Sequence, residues 1–174
     1  MKAVLLATDG SPTAERATET AIELAQVLET ELVVVTVWDI PYTTVGFAPV
    51  PVSAELARLS EEDAVKASQR AVTQAEQAGV HARRVVLRGL PIQEICLAAE
   101  QFEPRCLVIG SHGWGAVKRA VFGSVSTGVL HHAACPVLVV RAQGSDLRAA
   151  ATGARLPPPR RRRRSCPNRR CRRT

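Results

Sequence analysis

The residues best suited to hold a ligand are Gly110-Ser111-His112-Gly113 and Gly123-Ser124-Val125-Ser126. Gly110 and Gly113 let the backbone turn tightly and approach a bound group with no Cβ in the way. Around Gly123 and Ser124, the apolar residues Phe122, Val125, Val129 and Ala133 recur at helical spacing, which predicts a helix from about 124 to 132. A helix N-terminus offers unpaired N–H groups and about half a positive charge, which suits a phosphate. The hydroxyls of Ser124 and Ser126 add donors. A loop that leaves one element at Gly110 and enters another at Gly123 can surround a polyphosphate. It is neither of the common phosphate motifs. A Walker A loop needs Lys and Ser or Thr after its second glycine, and Gly115 is followed by Ala116-Val117. The dinucleotide fingerprint follows a first strand, and this loop does not. The plainer alternative is a flexible connection with a serine N-cap.

Other residues carry two readings each. Asp9, in Ala7-Thr8-Asp9-Gly10-Ser11, suits a hydrogen bond from a ligand or simply a turn. His112 can titrate beside a phosphate or face solvent. Lys118 and Arg119 can neutralise phosphate charge or form a solvated face. His131 and His132 fit the negative end of a helix dipole. Trp38 and Trp114 suit packing or a partner.

The elements that would position these residues alternate along the chain. Residues 2–8 (KAVLLAT) read as a strand ended by the turn Asp9-Gly10. Ser11-Pro12 opens a helix with Ser as N-cap, carrying Ala14, Ala17, Ala21, Leu24, Ala25 and Leu28 at helical spacing. Residues 32–37 (LVVVTV) are too continuously apolar for a one-faced strand and fit one buried on both faces. A proline-bearing loop over about 40–53 follows, then a helix over about 54–78 ended by Gly79. Residues 82–88 (ARRVVLR) read as a strand near a sheet edge. Pro91 opens a helix with Ile92, Ile95, Cys96, Ala99 and Phe102, and strands follow at 105–109 and 136–141. Strands alternating with helices predict an α/β fold, a parallel sheet covered on both faces.

Charge divides the chain of 174 residues. Residues 1–141 hold 12 basic and 15 acidic residues, a net −3. Residues 142–174 hold 11 Arg and one acid, Asp146, a net +10. The overall +7 therefore says nothing about the ligand of the first part. The second part, with three prolines and then five arginines from Arg160 to Arg164, predicts a disordered tail. Nucleic acid is expected as a partner only through this tail, unless the tail is an accident of reading frame. No apolar run reaches a membrane span of ~20 residues, and the N-terminus lacks the features of a signal peptide, so a cytoplasmic protein is expected. Cys96, Cys106 and Cys135 lie in apolar segments and read as reduced core thiols. Cys166 and Cys171 form an isolated C-x4-C pair with no zinc spacing.

Gly110-x2-Gly113-x9-Gly123-Ser124 resembles the G-x2-G-x9-G-[ST] pattern of the universal stress protein family, in its ATP-binding branch. Ala7-Thr8-Asp9-Gly10-Ser11, residues 33–37, 108–113 and 135–140 are also similar to segments of that family, in order, so the resemblance covers residues 1–141. It implies an open five-stranded parallel sheet of order 3-2-1-4-5, Rossmann-like and of the adenine nucleotide alpha hydrolase type. It also implies bound ATP, with Mg2+ or Mn2+ on the phosphates and no metal ligand assigned to the chain. Position by position, Ala7, Asp9 and Val37 would line adenine and ribose. Gly110 and Gly113 would border ribose and phosphates, and Gly123, Ser124 and Ser126 would hold the phosphates. Thr8, Ile109, His112 and Val125 complete the candidate set. The family's fifth strand commonly pairs with its copy, so a homodimer through the strand from Pro136 to Val140 is implied. An apolar edge strand agrees with that. Trp114 departs from the family, which often has a basic residue there. The expected function is an ATP-binding regulator of stress response with an unknown protein partner. Hydrolysis needs a positioned base and charge stabilisation at the terminal phosphate. Asp9 is the only acid in a matching position, and no nucleophile–base arrangement is visible. A slow ATP hydrolase or phosphotransferase is the alternative.

Overall fold

The first turn of the chain is fixed by four consecutive residues. β1 (Val4–Ala7) is buried throughout. Thr8 and Asp9 then accept hydrogen bonds from the backbone N–H groups of Gly10 and Ser11, at 3.2 and 3.0 Å. Gly10 has φ +71°, and a Cβ there would lie 2.9 Å from the Cβ of Ala67. Only glycine suits both constraints. Ser11 caps α1 (Pro12–Val27) by accepting from the N–H of Ala14 at 3.3 Å, with Pro12 in the first turn.

The computed structural model describes residues 2–39, 42–45, 48–51, 54–113 and 122–141, with 42–45 and 48–51 described by backbone alone. These residues all fall in one compact unit, Met1–Ala142. The Arg-rich tail from residue 143 lies outside the described residues, as do Trp114, Lys118 and Arg119. After α1 come β2 (Leu32–Trp38), β3 (Tyr42–Val45), β4 (Ala48–Pro51), α2 (Ala54–Gln77) and β5 (Ala82–Arg88). α3 (Pro91–Phe102), β6 (Cys106–Gly110), α4 (Ser124–His132) and β7 (Val137–Val140) complete the chain order.

Five strands form one parallel sheet of order β5-β2-β1-β6-β7. Numbered by their own sequence, these are 3-2-1-4-5, as expected. β5 and β7 are its edges. Successive side chains of a strand point to opposite faces, so each face builds its own core. Val4, Leu6, Leu32, Val34 and Val108 pack against the alanine stripes of α1 and α2. Leu5, Val33, Val35, Leu107 and Ile109 pack against Ile95, Ala98 and Ala99 of α3 and Val129 of α4. Cover on both faces explains why β1 and β2 read as unbroken apolar runs.

The expected loop over 40–53 is corrected by the structure. β3 and β4 form a separate antiparallel pair, with Tyr42 opposite Pro51 and Val45 opposite Ala48. The prolines concealed it, since proline removes a ladder donor. In a pair where each strand is an edge, alternate N–H groups point away from the partner, so Pro49 and Pro51 are tolerated.

The described cysteines carry free thiols and are half-buried rather than fully enclosed. Burial raises the Cys96, Cys106 and Cys135 thiols above their ordinary range. They are thus poor nucleophiles at neutral pH.

Gly128 lets α4 approach α3. A Cβ at Gly128 would fall 2.5 Å from Cδ1 of Ile92. Gly128→Val should destabilise the protein by about 1–3 kcal/mol through overpacking. Urea unfolding should show a lower midpoint at unchanged slope.

Candidate functional site

In an open parallel sheet, ligands bind beyond the carboxyl ends of the strands where the order reverses. Here that place lies between β1 and β6. A cavity of about 440 Å³ occupies it. Small-ligand sites generally hold about 300–1,000 Å³.

The cavity brings together all twelve residues expected from sequence. Ala7, Thr8 and Asp9 arrive from the end of β1, and Val37 from β2. Ile109 and Gly110 end β6, and His112 and Gly113 follow. Gly123, Ser124, Val125 and Ser126 form the start of α4. Five further lining residues were read in the sequence only as parts of elements, not as site residues: Ala14, Val35, Pro91, Ile95 and Phe122. Two had a signal. Val35 shares the face of Val37 by strand alternation, and Ile95 stands one helical turn after Pro91.

Ala7, Val35, Val37, Ile95 and Ile109 belong to one core cluster and form an apolar slot in the lining. Elsewhere glycines bring the backbone to the cavity wall. Gly110 abuts α1, where a Cβ would lie 3.2 Å from the carbonyl group of Thr13. Gly113 lies against Asp9, since a Cβ there would fall 2.3 Å from Oδ2 of that carboxylate. Asp9 therefore has both turn and cavity roles, because its Oδ1 also accepts from the N–H of Ser11.

The start of α4 is held by one carbonyl. The N–H of Gly123 donates to the Ser111 carbonyl at 2.7 Å. The Ser126 hydroxyl lies 3.0 Å from that same oxygen and 3.0 Å from the Gly123 carbonyl. Ser126 is buried, so the single hydrogen of its hydroxyl is directed at the loop's own backbone. The N–H of Ser111 donates in turn to the Val140 carbonyl at 2.7 Å. Its hydroxyl lies 3.1 Å from Nδ1 of His112.

The N-cap of α4 is Gly123, not the serine of the plainer alternative, and no side chain caps the helix. Ser124 is its first helical residue. The first N–H groups of a helix have no acceptor within it. The other three helices each carry a glutamate in the first turn: Glu15, Glu55 and Glu94. α4 carries none. Its partial positive charge is thus left unbalanced by its own first turn, and it opens on the cavity. The described lining contains no Lys or Arg. His131 and His132 lie at the far end of α4, exposed, where they complement its dipole.

Among the described residues, no group of three or more His, Cys, Asp or Glu is placed to hold a metal ion. No helix among them is long and apolar enough to cross a membrane.

If the Ser126 hydroxyl ties the loop to the helix, Ser126→Ala should cost about 0.5–1.5 kcal/mol. A lowered urea midpoint would register it.

The sequence and the fold resemble those of known proteins. The sequence profile of the Universal stress protein family matches residues 1–141. Universal stress protein MJ0531 of Methanocaldococcus jannaschii is 34% identical over 142 residues, covering 80% of this chain and 82% of that one. Among solved structures, universal stress protein UspA from Lactobacillus plantarum superposes with a TM-score of 0.69 at 23% identity. That match covers 80% of this chain and 97% of the other. The universal stress protein from Archaeoglobus fulgidus, solved in complex with dAMP, superposes with a TM-score of 0.59 at 22% identity over 80% and 98%. The match of the family profile over residues 1–141 and the 3-2-1-4-5 sheet agree, and the chain belongs to the universal stress protein family.

Proposed function

We propose that the cavity binds an adenine nucleotide, ATP with Mg2+ or Mn2+ on its phosphates, and that the chain is a nucleotide-dependent regulator rather than an efficient enzyme. The observation that carries this reading is the pairing, in one cavity, of an apolar slot with a helix N-terminus that has neither side-chain cap nor acid. An aromatic base suits the slot, and a phosphate suits the helix end. The fold accommodates such a ligand in the Archaeoglobus fulgidus protein, which was solved with dAMP.

In this reading Ala7, Val37 and Ile109 flank the base, with Thr8 and Asp9 toward the ribose. Gly110, His112 and Gly113 border ribose and phosphates, Ser124, Val125 and Ser126 present backbone N–H groups to the phosphates, and Gly123, its own N–H held by Ser111, borders them without a side chain. A divalent cation on the phosphates would supply charge neutralisation there, and among the described residues no group of three or more His, Cys, Asp or Glu is placed to hold it. Asp9 and His112 are the titratable groups of the described lining. Occupancy would alter the surface that residues 110–113 and 122–124 present to a protein partner.

Calorimetry with ATP and Mg2+ should give saturable binding. Gly113→Val should weaken it at least tenfold, because its side chain would displace the Asp9 carboxylate. No heat of binding at millimolar ATP would contradict the proposal.

The same reading includes a homodimer through β7. That strand is a sheet edge, and Leu138 on it is 39% exposed. Exposed apolar edges favour pairing. Light scattering should give twice the chain mass, and Leu138→Arg should shift it toward the monomer. A monomeric wild type would contradict the dimer.

A further inference from the structure

We propose that Arg141 senses the length of the phosphate chain in the cavity, contacting the outer phosphates of a nucleoside triphosphate but not the phosphate of a monophosphate. This rests on the reading of the cavity as an adenine nucleotide site.

Three contacts place the guanidinium. Arg141 directly follows β7, whose last residue, Val140, accepts a hydrogen bond from the N–H of Ser111 at 2.7 Å. The Ser111 carbonyl accepts from the N–H of Gly123 at 2.7 Å. Phe122 directly precedes Gly123, and the guanidinium carbon of Arg141 lies 5.9 Å from the Phe122 ring centroid. A short circuit of backbone hydrogen bonds thus holds Arg141 beside the start of α4.

Phe122 lines the cavity and is 38% exposed, so it stands at the mouth. Arg141, exposed and stacked on it, stands at the rim. The rim is at the phosphate end, because Phe122 adjoins the N-cap of α4, while the apolar slot is formed by β1, β2, β6 and α3.

Charge supplies the reason for a sensor there. One phosphate on the helix N-terminus is partly balanced by about half a positive charge. Further phosphates add charged oxygens that a divalent cation covers only in part, and the described lining offers no Lys or Arg to bind the rest. A guanidinium carries five donors in a planar fork that matches two phosphate oxygens. An exposed cation–π contact is weak beside a charge-assisted hydrogen bond to phosphate. The guanidinium can therefore leave the ring for the anion while Phe122 keeps it near the mouth.

The test is calorimetry with ATP and with AMP, in Mg2+, on the full chain and on Arg141→Gln, Arg141→Lys and Phe122→Leu. Arg141→Gln should weaken ATP about tenfold and leave AMP within about twofold. Arg141→Lys, which keeps the charge but not the fork, should fall between Gln and wild type. Phe122→Leu should lose ATP affinity in part. Equal loss of ATP and AMP in Arg141→Gln, or no loss of ATP, overturns the inference while leaving the nucleotide site intact. Failure of wild-type protein to bind either nucleotide overturns the site itself, and the inference with it.

Discussion

The Ser111 carbonyl oxygen joins the end of β6 to the start of α4 by accepting from the Gly123 N–H and the Ser126 hydroxyl. Without that junction α4 would be packed through Val129 against the sheet, but its N-terminus would have no fixed direction. With it, the unpaired N–H groups open onto the cavity beyond β1 and β6. Ser111 can serve because its own N–H is bound to Val140, so both central and edge strands share in holding it. The sheet makes this possible. β1 and β6 are in register, with Ala7 beside Ile109, which brings the Asp9 turn level with the glycines after β6.

The local electrostatics follow from what is absent as much as from what is present. Glutamates compensate the N-termini of α1, α2 and α3. A first-turn acid on α4 would repel a phosphate, and a capping side chain would occupy the donors it needs. Glycine at the N-cap avoids the second, and Ser124-Val125-Ser126 in the first turn avoid the first. The one carboxylate in the lining, Asp9, is kept in place by its own turn and by the close approach of Gly113. Arg141 reaches the rim through Phe122 and not through the loop glycines.

Much of this was legible in the sequence, for reasons that are local. The apolar runs of β1 and β2 report burial on both faces directly, and Ser11-Pro12 marks a helix start at the residue where it occurs. The spacing of Gly110, Gly113, Gly123 and Ser124 carried the family resemblance, and every residue it assigned to the ligand lines the cavity. What escaped was non-local or masked by a strong local rule. The β3–β4 pair was hidden by its prolines. Ser126 looked like a phosphate donor, and only the fold shows its hydroxyl facing two backbone carbonyls. Phe122 and Arg141 are 19 positions apart in sequence, and nothing in their spacing announces that β7 brings them together.

The central claim is that the backbone N–H groups opening α4 bind phosphate. Amide resonances of the isotopically labelled protein, titrated with ATP and Mg2+, test it most directly. The account predicts saturable shifts at Ser124, Val125 and Ser126 larger than those at the starts of α1, α2 and α3. Shifts confined to other parts of the chain, with these three amides unmoved at saturation, would contradict it.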